Sequence, residues 1–124
     1  MKNDKRTDSF LTFARTSFLL MQRLWDAGDM EQIRKLVSAR LQSRLERDLA
    51  ARGDRINHTE VKRLDLELIP NSADEIGATV SVRFRGEMRE DTDAAIERFE
   101  DIWHFLRIDN NEDGWQIDDI EIVI

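Results

Sequence analysis

Ala78-Thr79-Val80-Ser81-Val82-Arg83-Phe84-Arg85 decides the fold. Its apolar residues alternate strictly with polar ones, and a period of two marks an extended strand with one buried face. The same period runs just before it, where Leu64, Leu66 and Leu68 alternate with Arg63, Asp65 and Glu67 after an entry at Val61. Beyond it, Phe99, Trp103 and Phe105 share one parity and Ile102, Leu106 and Ile108 the other, which predicts a strand buried on much of both faces. In the last segment Trp115 and Ile117 share a parity, whereas Ile120, Ile122 and Ile124 take the opposite one. A slip of one residue in the phase is what a β-bulge or bend produces.

The chain ahead of these strands has a helical period. Across residues 9–27, Phe10, Phe13, Ala14, Ser17, Phe18, Met21, Leu24 and Trp25 recur at steps of three and four. Asp8 or Ser9 is suited to accept an orphan backbone N–H at the start, and Gly28 to end the helix. Asp29 opens a short second helix carrying Met30, Ile33 and Leu36. Ser38 caps a third, with Leu41, Leu45 and Leu49 on one stripe, Arg40, Arg44 and Arg47 on another, and Gly53 as the stop. Three helices followed by four strands predict an α+β fold, with the helices packed on a four-stranded antiparallel sheet. The expected organisation is a polar tail over residues 1–8 and one domain over 9–124.

Composition narrows the function. The 124 residues are 40% hydrophobic and 36% charged, which fits one folded domain. The net charge of -7 argues against general nucleic-acid binding, which needs a basic face. That charge is uneven. The first 70 residues hold 14 basic and 11 acidic side chains, and the rest hold 5 and 15. With no Pro/Gly/Ser linker between the halves, the shift marks two layers of one domain, basic helices and an acidic sheet. There is no cysteine for a disulfide or thiolate site, and no tyrosine for phenolic acid/base chemistry. No apolar run reaches the length of a membrane span, and Met1 to Asp8 is polar, so neither an anchor nor a signal peptide is expected.

Few motifs carry chemistry. Asp109-Asn110-Asn111-Glu112-Asp113-Gly114 alternates oxygen donors like the opening of a calcium loop, but Ile120 stands where a bidentate Glu belongs. A solvated turn is the expectation, with no metal and no cofactor. His104, with Asp101 nearby in the chain, is the one candidate acid/base pair. Asp118, Asp119 and Glu121 are paired carboxylates, with Asp119 and Glu121 expected on a solvent face. Phe18, Trp25, Trp103, Phe105 and Trp115 either fill the core or line an apolar pocket between helix and sheet.

Several segments together carry a resemblance. They are Phe10-Leu11 through Phe18, Trp25-Asp26-Ala27-Gly28-Asp29-Met30, Arg52-Gly53 through Asn57 with Glu60-Val61, Phe84-Arg85-Gly86 with Arg89-Glu90-Asp91, Phe99-Glu100-Asp101-Ile102-Trp103-His104, and Gly114-Trp115. In this order and spacing the chain resembles the C-terminal domain of the forty-four-kilodalton subunit of the mitochondrial inner-membrane translocase, with bacterial relatives of that domain as the closer match. The resemblance implies a cone-shaped fold like that of nuclear transport factor two. It also implies a non-enzymatic scaffold that contacts other proteins and, in the mitochondrial member, acidic phospholipid.

Three functions follow for testing. The first is an interaction module, cytoplasmic or peripheral at the inner membrane, binding a protein partner. Its pocket would take an acyl chain or a partner's side chain. Arg40, Arg44 and Arg47 would offer an anionic-surface contact of about 1 kcal/mol per basic residue. The second is an isomerase or dehydratase of the wider cone-fold superfamily, relying on His104 with Asp101. The third is ribosome association, which a sequence pI near 4.9 makes unattractive for direct RNA contact. A monomer is expected, because an acidic sheet face repels its copy.

Overall fold

In the computed structural model, residues 5–53, 55, 57–70, 79–108 and 114–124 are described. Helix α1 spans Lys5–Ala27, α2 Met30–Ile33 and α3 Ala39–Arg52. Strands β1 (Glu60–Ile69), β2 (Thr79–Arg89), β3 (Glu97–Arg107) and β4 (Trp115–Ile122) follow. The strands form one antiparallel sheet in the order β1-β2-β3-β4, so every neighbour in sequence is a neighbour in the sheet. The fold is therefore α+β, with three helices on a curved four-stranded sheet in the arrangement of nuclear transport factor two.

The helix ends obey their local chemistry. Asp29 Oδ1 accepts from the Gln32 N–H at 3.2 Å, and Ser38 Oγ accepts from the Leu41 N–H at 3.3 Å. Gly28 turns the chain between α1 and α2 with φ +71°, a left-handed conformation that a side chain resists. Helix α1 begins earlier than the expected cap at Asp8 or Ser9. Asp8 sits inside its first turn, where its charge complements the unpaired N–H groups, so residues 5–8 are helix rather than tail.

Strand parity sorts the sheet into two faces. Val80, Val82 and Phe84 of β2, with Phe99, Trp103 and Phe105 of β3, are buried against Phe10, Ala14, Phe18 and Met21 of α1. Phe18 stacks on Phe84 at 4.7 Å between ring centroids and packs on Trp103 at 5.0 Å. Farther along, Phe10 meets Phe105 and Trp115 edge-on at 5.3 and 4.9 Å. The outer face carries Arg83, Arg85, Glu67 and Glu100 in a network of ion pairs, so it is mixed in sign rather than uniformly acidic.

Two irregularities shape this sheet. On β3, His104 and Phe105 are consecutive, whereas their partners on β4 are Asp119 and Ile117. Asp118 is the extra residue, which is the phase slip seen between Ile117 and Ile120. A second register shift falls between Val61 and Arg63 on β1. There the Arg63 carbonyl presses on Gly86, and a Cβ at Gly86 would lie 1.8 Å from that oxygen. The outer edge of β4 is partly covered by the chain between α2 and α3. The Ser38 N–H donates to the Ile117 carbonyl and the Ile117 N–H to the Leu36 carbonyl, both at 2.9 Å.

The acidic run 109–113, expected from sequence as a solvated turn, lies outside the described residues.

Candidate functional site

The residues that crowd the middle of the sheet give way at one end. There α1, α3 and the inner faces of β3 and β4 border a cavity of about 330 Å³ that is partly open to solvent. Met21 and Trp25 of α1, Leu45 of α3, Phe99 and Trp103 of β3 and Ile120 of β4 supply its apolar walls. Gln22, Arg44, Asp48, Asn57, Thr59, Glu90 and Asp101 supply the polar groups among the described residues. A volume at the lower end of the ligand-pocket range, with aromatic walls beside several charged and polar groups, has room for a small ligand that is apolar in part.

The five aromatics singled out in sequence divide by position. Trp25 and Trp103 are on the cavity wall. Phe18 and Phe105 are fully buried in the packed core beside it. Trp115 lies at the other end of the sheet, against Phe10 and under the Arg107 guanidinium, 4.8 Å from its ring centroid.

The mouth of the cavity is built by hydrogen bonds around the C-terminus of α1. Asp26 accepts from the Thr59 N–H at 2.7 Å and from the Thr59 hydroxyl at 2.8 Å, tying the approach to β1 to the helix. Arg52 of α3 donates to the Trp25 carbonyl at 2.7 Å and lies over the indole, 5.4 Å from its centroid. The Trp25–Met30 and Arg52–Gly53 segments thus hold the end of α1, the end of α3 and the start of the sheet together.

Asp101 faces the cavity, because it shares its parity with Phe99 and Trp103. Burial pushes its carboxyl above the usual carboxylate range, opposed only in part by the Trp103 Nε1–H, which donates to Oδ2 at 3.2 Å. His104 has the opposite parity and lies on the outer face. Its Nδ1 is 2.7 Å from Ser81 Oγ and its Nε2 2.6 Å from Glu121 Oε2. The sheet separates the two members of the acid/base pair weighed from sequence. The signal was available: residues three apart on one strand face opposite ways.

The Ser81–His104–Glu121 chain has the residue types of a nucleophile relay. Ser81 sits within β2, between β1 and β3, where the backbone N–H groups serve the sheet ladders instead of converging on a developing oxyanion. The arrangement orients the imidazole ring of His104 between Ser81 and Glu121.

The arginine stripe of α3 turns toward β4. Arg40 Nη2 bonds Asp118 Oδ2 at 3.2 Å, and Arg44 reaches Asp119 Oδ1 and the Ile120 carbonyl, both at 2.8 Å. The Ser38 hydroxyl and then Arg40 hold the Asp118 carboxyl below the usual range. Arg47 is exposed, with no ion pair among the described residues. The basic helix and the acidic strand meet across one seam, a pairing that distance along the chain conceals.

Fold and cavity together define a cone-shaped α+β domain with a cavity at one end of its sheet. A family model for the Tim44-like domain matches residues 1–122, and the chain belongs to that family of translocase-associated domains. No curated protein and no solved structure gave a significant match. Among the described residues, no helix is long and apolar enough to cross a membrane.

Proposed function

We propose that this domain is a non-enzymatic protein-interaction module, peripheral at a membrane, whose cavity receives an acyl chain or an apolar side chain of a partner protein. The cavity between Trp25, Leu45, Trp103 and Ile120 is the observation that carries this reading. Its walls reward an apolar occupant by about 25 cal/mol per Å² removed from water. Membership of the Tim44-like family supports the scaffold role.

Contact with anionic lipid through Arg40, Arg44 and Arg47 is a secondary part of the proposal. Arg40 and Arg44 would share their charge between lipid and the Asp118 and Asp119 carboxylates, so the contact is weak and salt-sensitive. Flotation with anionic vesicles checks it: binding that disappears at high salt supports the contact, and no binding removes it.

The main test titrates the intact chain with a single-chain lipid below its micellar concentration and crosslinks partner proteins from a position beside Ile122. An Ile120→Trp variant, which fills the cavity, serves as the control. Saturable binding or crosslinking that falls at least tenfold in the variant supports the reading. An empty cavity in both arms, or equal occupancy in the variant, overturns it.

One observation favours a second reading, an isomerase or dehydratase: Asp101 is a half-buried carboxyl of raised pKa inside the cavity. Among the described residues, its cavity neighbours that titrate are Asp48, Glu90 and Arg44, without a histidine. Proton exchange at the α-carbon of a carbonyl ligand, abolished by Asp101→Asn, would put this reading in place of the first.

A further inference from the structure

We infer that His104, Asp119 and Glu121 form a binding site for one divalent ion of the zinc type on the outer face of the β3–β4 pair. The three side chains come from a cross-strand arrangement. His104 lies opposite Asp119, and Glu121 follows two residues on, with the same parity as Asp119. One ligand atom from each lies within 4.8 Å of the others. Bonds of about 2.0–2.2 Å to a central ion are reached by small side-chain rotations, and Glu121, exposed over half its side-chain surface, has the freedom to make them.

The two less mobile ligands are already oriented by their other atoms. Ser81 Oγ holds His104 Nδ1 at 2.7 Å, which turns Nε2 toward the carboxylates. Asp119 Oδ1 accepts from Arg44 Nη1 at 2.8 Å and from the Ile120 N–H at 2.9 Å, leaving Oδ2 for an ion. Such outer contacts fix ligand geometry in metal sites. Nε2 lies 2.6 Å from Glu121 Oε2, a direct contact that an ion between them would replace. One imidazole nitrogen and two carboxylates match the donors of a four-coordinate zinc site completed by water. Calcium, which requires six to eight oxygens, is a poorer fit.

The bulge at Asp118 makes this site. Without the extra residue, β4 would turn Ile120 outward and Asp119 and Glu121 inward, so one insertion both builds the outer cluster and supplies the cavity with Ile120.

The test is calorimetric titration of the intact chain with Zn²⁺ in a non-chelating buffer. Binding at one ion per chain is expected, weakened at least tenfold by His104→Ala and by Glu121→Gln. His58→Ala, which removes the other of the chain's two histidines, should leave it unchanged. Circular dichroism checks that each variant is folded, and His104→Gln replaces His104→Ala if the latter is not. No zinc binding, equal binding by the folded His104 variant, or tighter binding of Ca²⁺ than of Zn²⁺ overturns the inference.

Discussion

The two faces of the sheet do different work, and Asp101 and His104 show it within three residues of β3. On the inner face, Phe84, Phe99, Trp103 and Phe105 are almost wholly buried, and Asp101 is drawn into the cavity beside them. On the outer face, at similar positions along the strands, Arg83, Glu100, His104 and Glu121 exchange hydrogen bonds at the solvent boundary. Apolar burial is worth roughly 1.5–3 kcal/mol for each large side chain, whereas an exposed ion pair is worth about 0–1 kcal/mol. The inner face therefore carries the stability, and the outer face is free to vary its chemistry at small cost.

The sharpest way to break this comparison is to empty the inner face at its centre. Phe18→Ala should lower stability by about 4 kcal/mol in urea denaturation, since the ring packs on Phe84, Phe99 and Trp103. Gly86→Ala should cost about 3 kcal/mol in the same assay. Its new methyl group meets the Arg63 carbonyl, and backbone on the neighbouring strand must move to make room. Asp26→Ala should cost about 2 kcal/mol, because Thr59 loses two charge-assisted hydrogen bonds. Faster amide exchange at Thr59 would place that loss at the cavity mouth.

On the outer face, Arg83→Ala should cost about 1–2 kcal/mol, still well below Phe18→Ala: Glu67 is exposed and loses little, whereas the half-buried Glu100 loses its nearest partner and keeps only the more distant Arg85. A loss as large as that of Phe18→Ala would erase the distinction between the faces. Asp101→Asn should act in the opposite direction and raise the unfolding midpoint near neutral pH. A carboxyl whose folded pKa is raised binds its proton more tightly when folded, so its ionisation penalises the native state above that raised value. The penalty fades as pH falls through the raised pKa and is absent below the ordinary carboxylate range. Thermal scans should therefore show the benefit of Asn shrinking to nothing with acidification.

Most of the architecture was legible in the order of residues. Period-two runs announced the strands, Ser38 and Asp29 the helix caps, and the slip between Ile117 and Ile120 the bulge. These are local signals, carried by neighbours along the chain. The candidate sites depend on register, which brings together residues distant in sequence: Ser81 beside His104, His104 beside Asp119, and Arg44 beside Asp119. Asp101 is intermediate. Its parity with Phe99 and Trp103 pointed inward, but how far burial shifts its proton affinity depends on α1 and α3 closing over that end. The division of the aromatics between cavity wall and packed core depended on the same closure, because a periodic stripe does not reveal where two elements part.

The measurement that tests the central claim most directly is methyl NMR of the intact chain titrated with a single-chain lipid. Saturable shifts are expected at Met21, Leu45 and Ile120, which line the cavity, with undisturbed methyls at Ile33 and Val37, which lie in the packed core away from it. No shifts at the cavity methyls under saturating lipid, or shifts confined to the core and outer face, would contradict it.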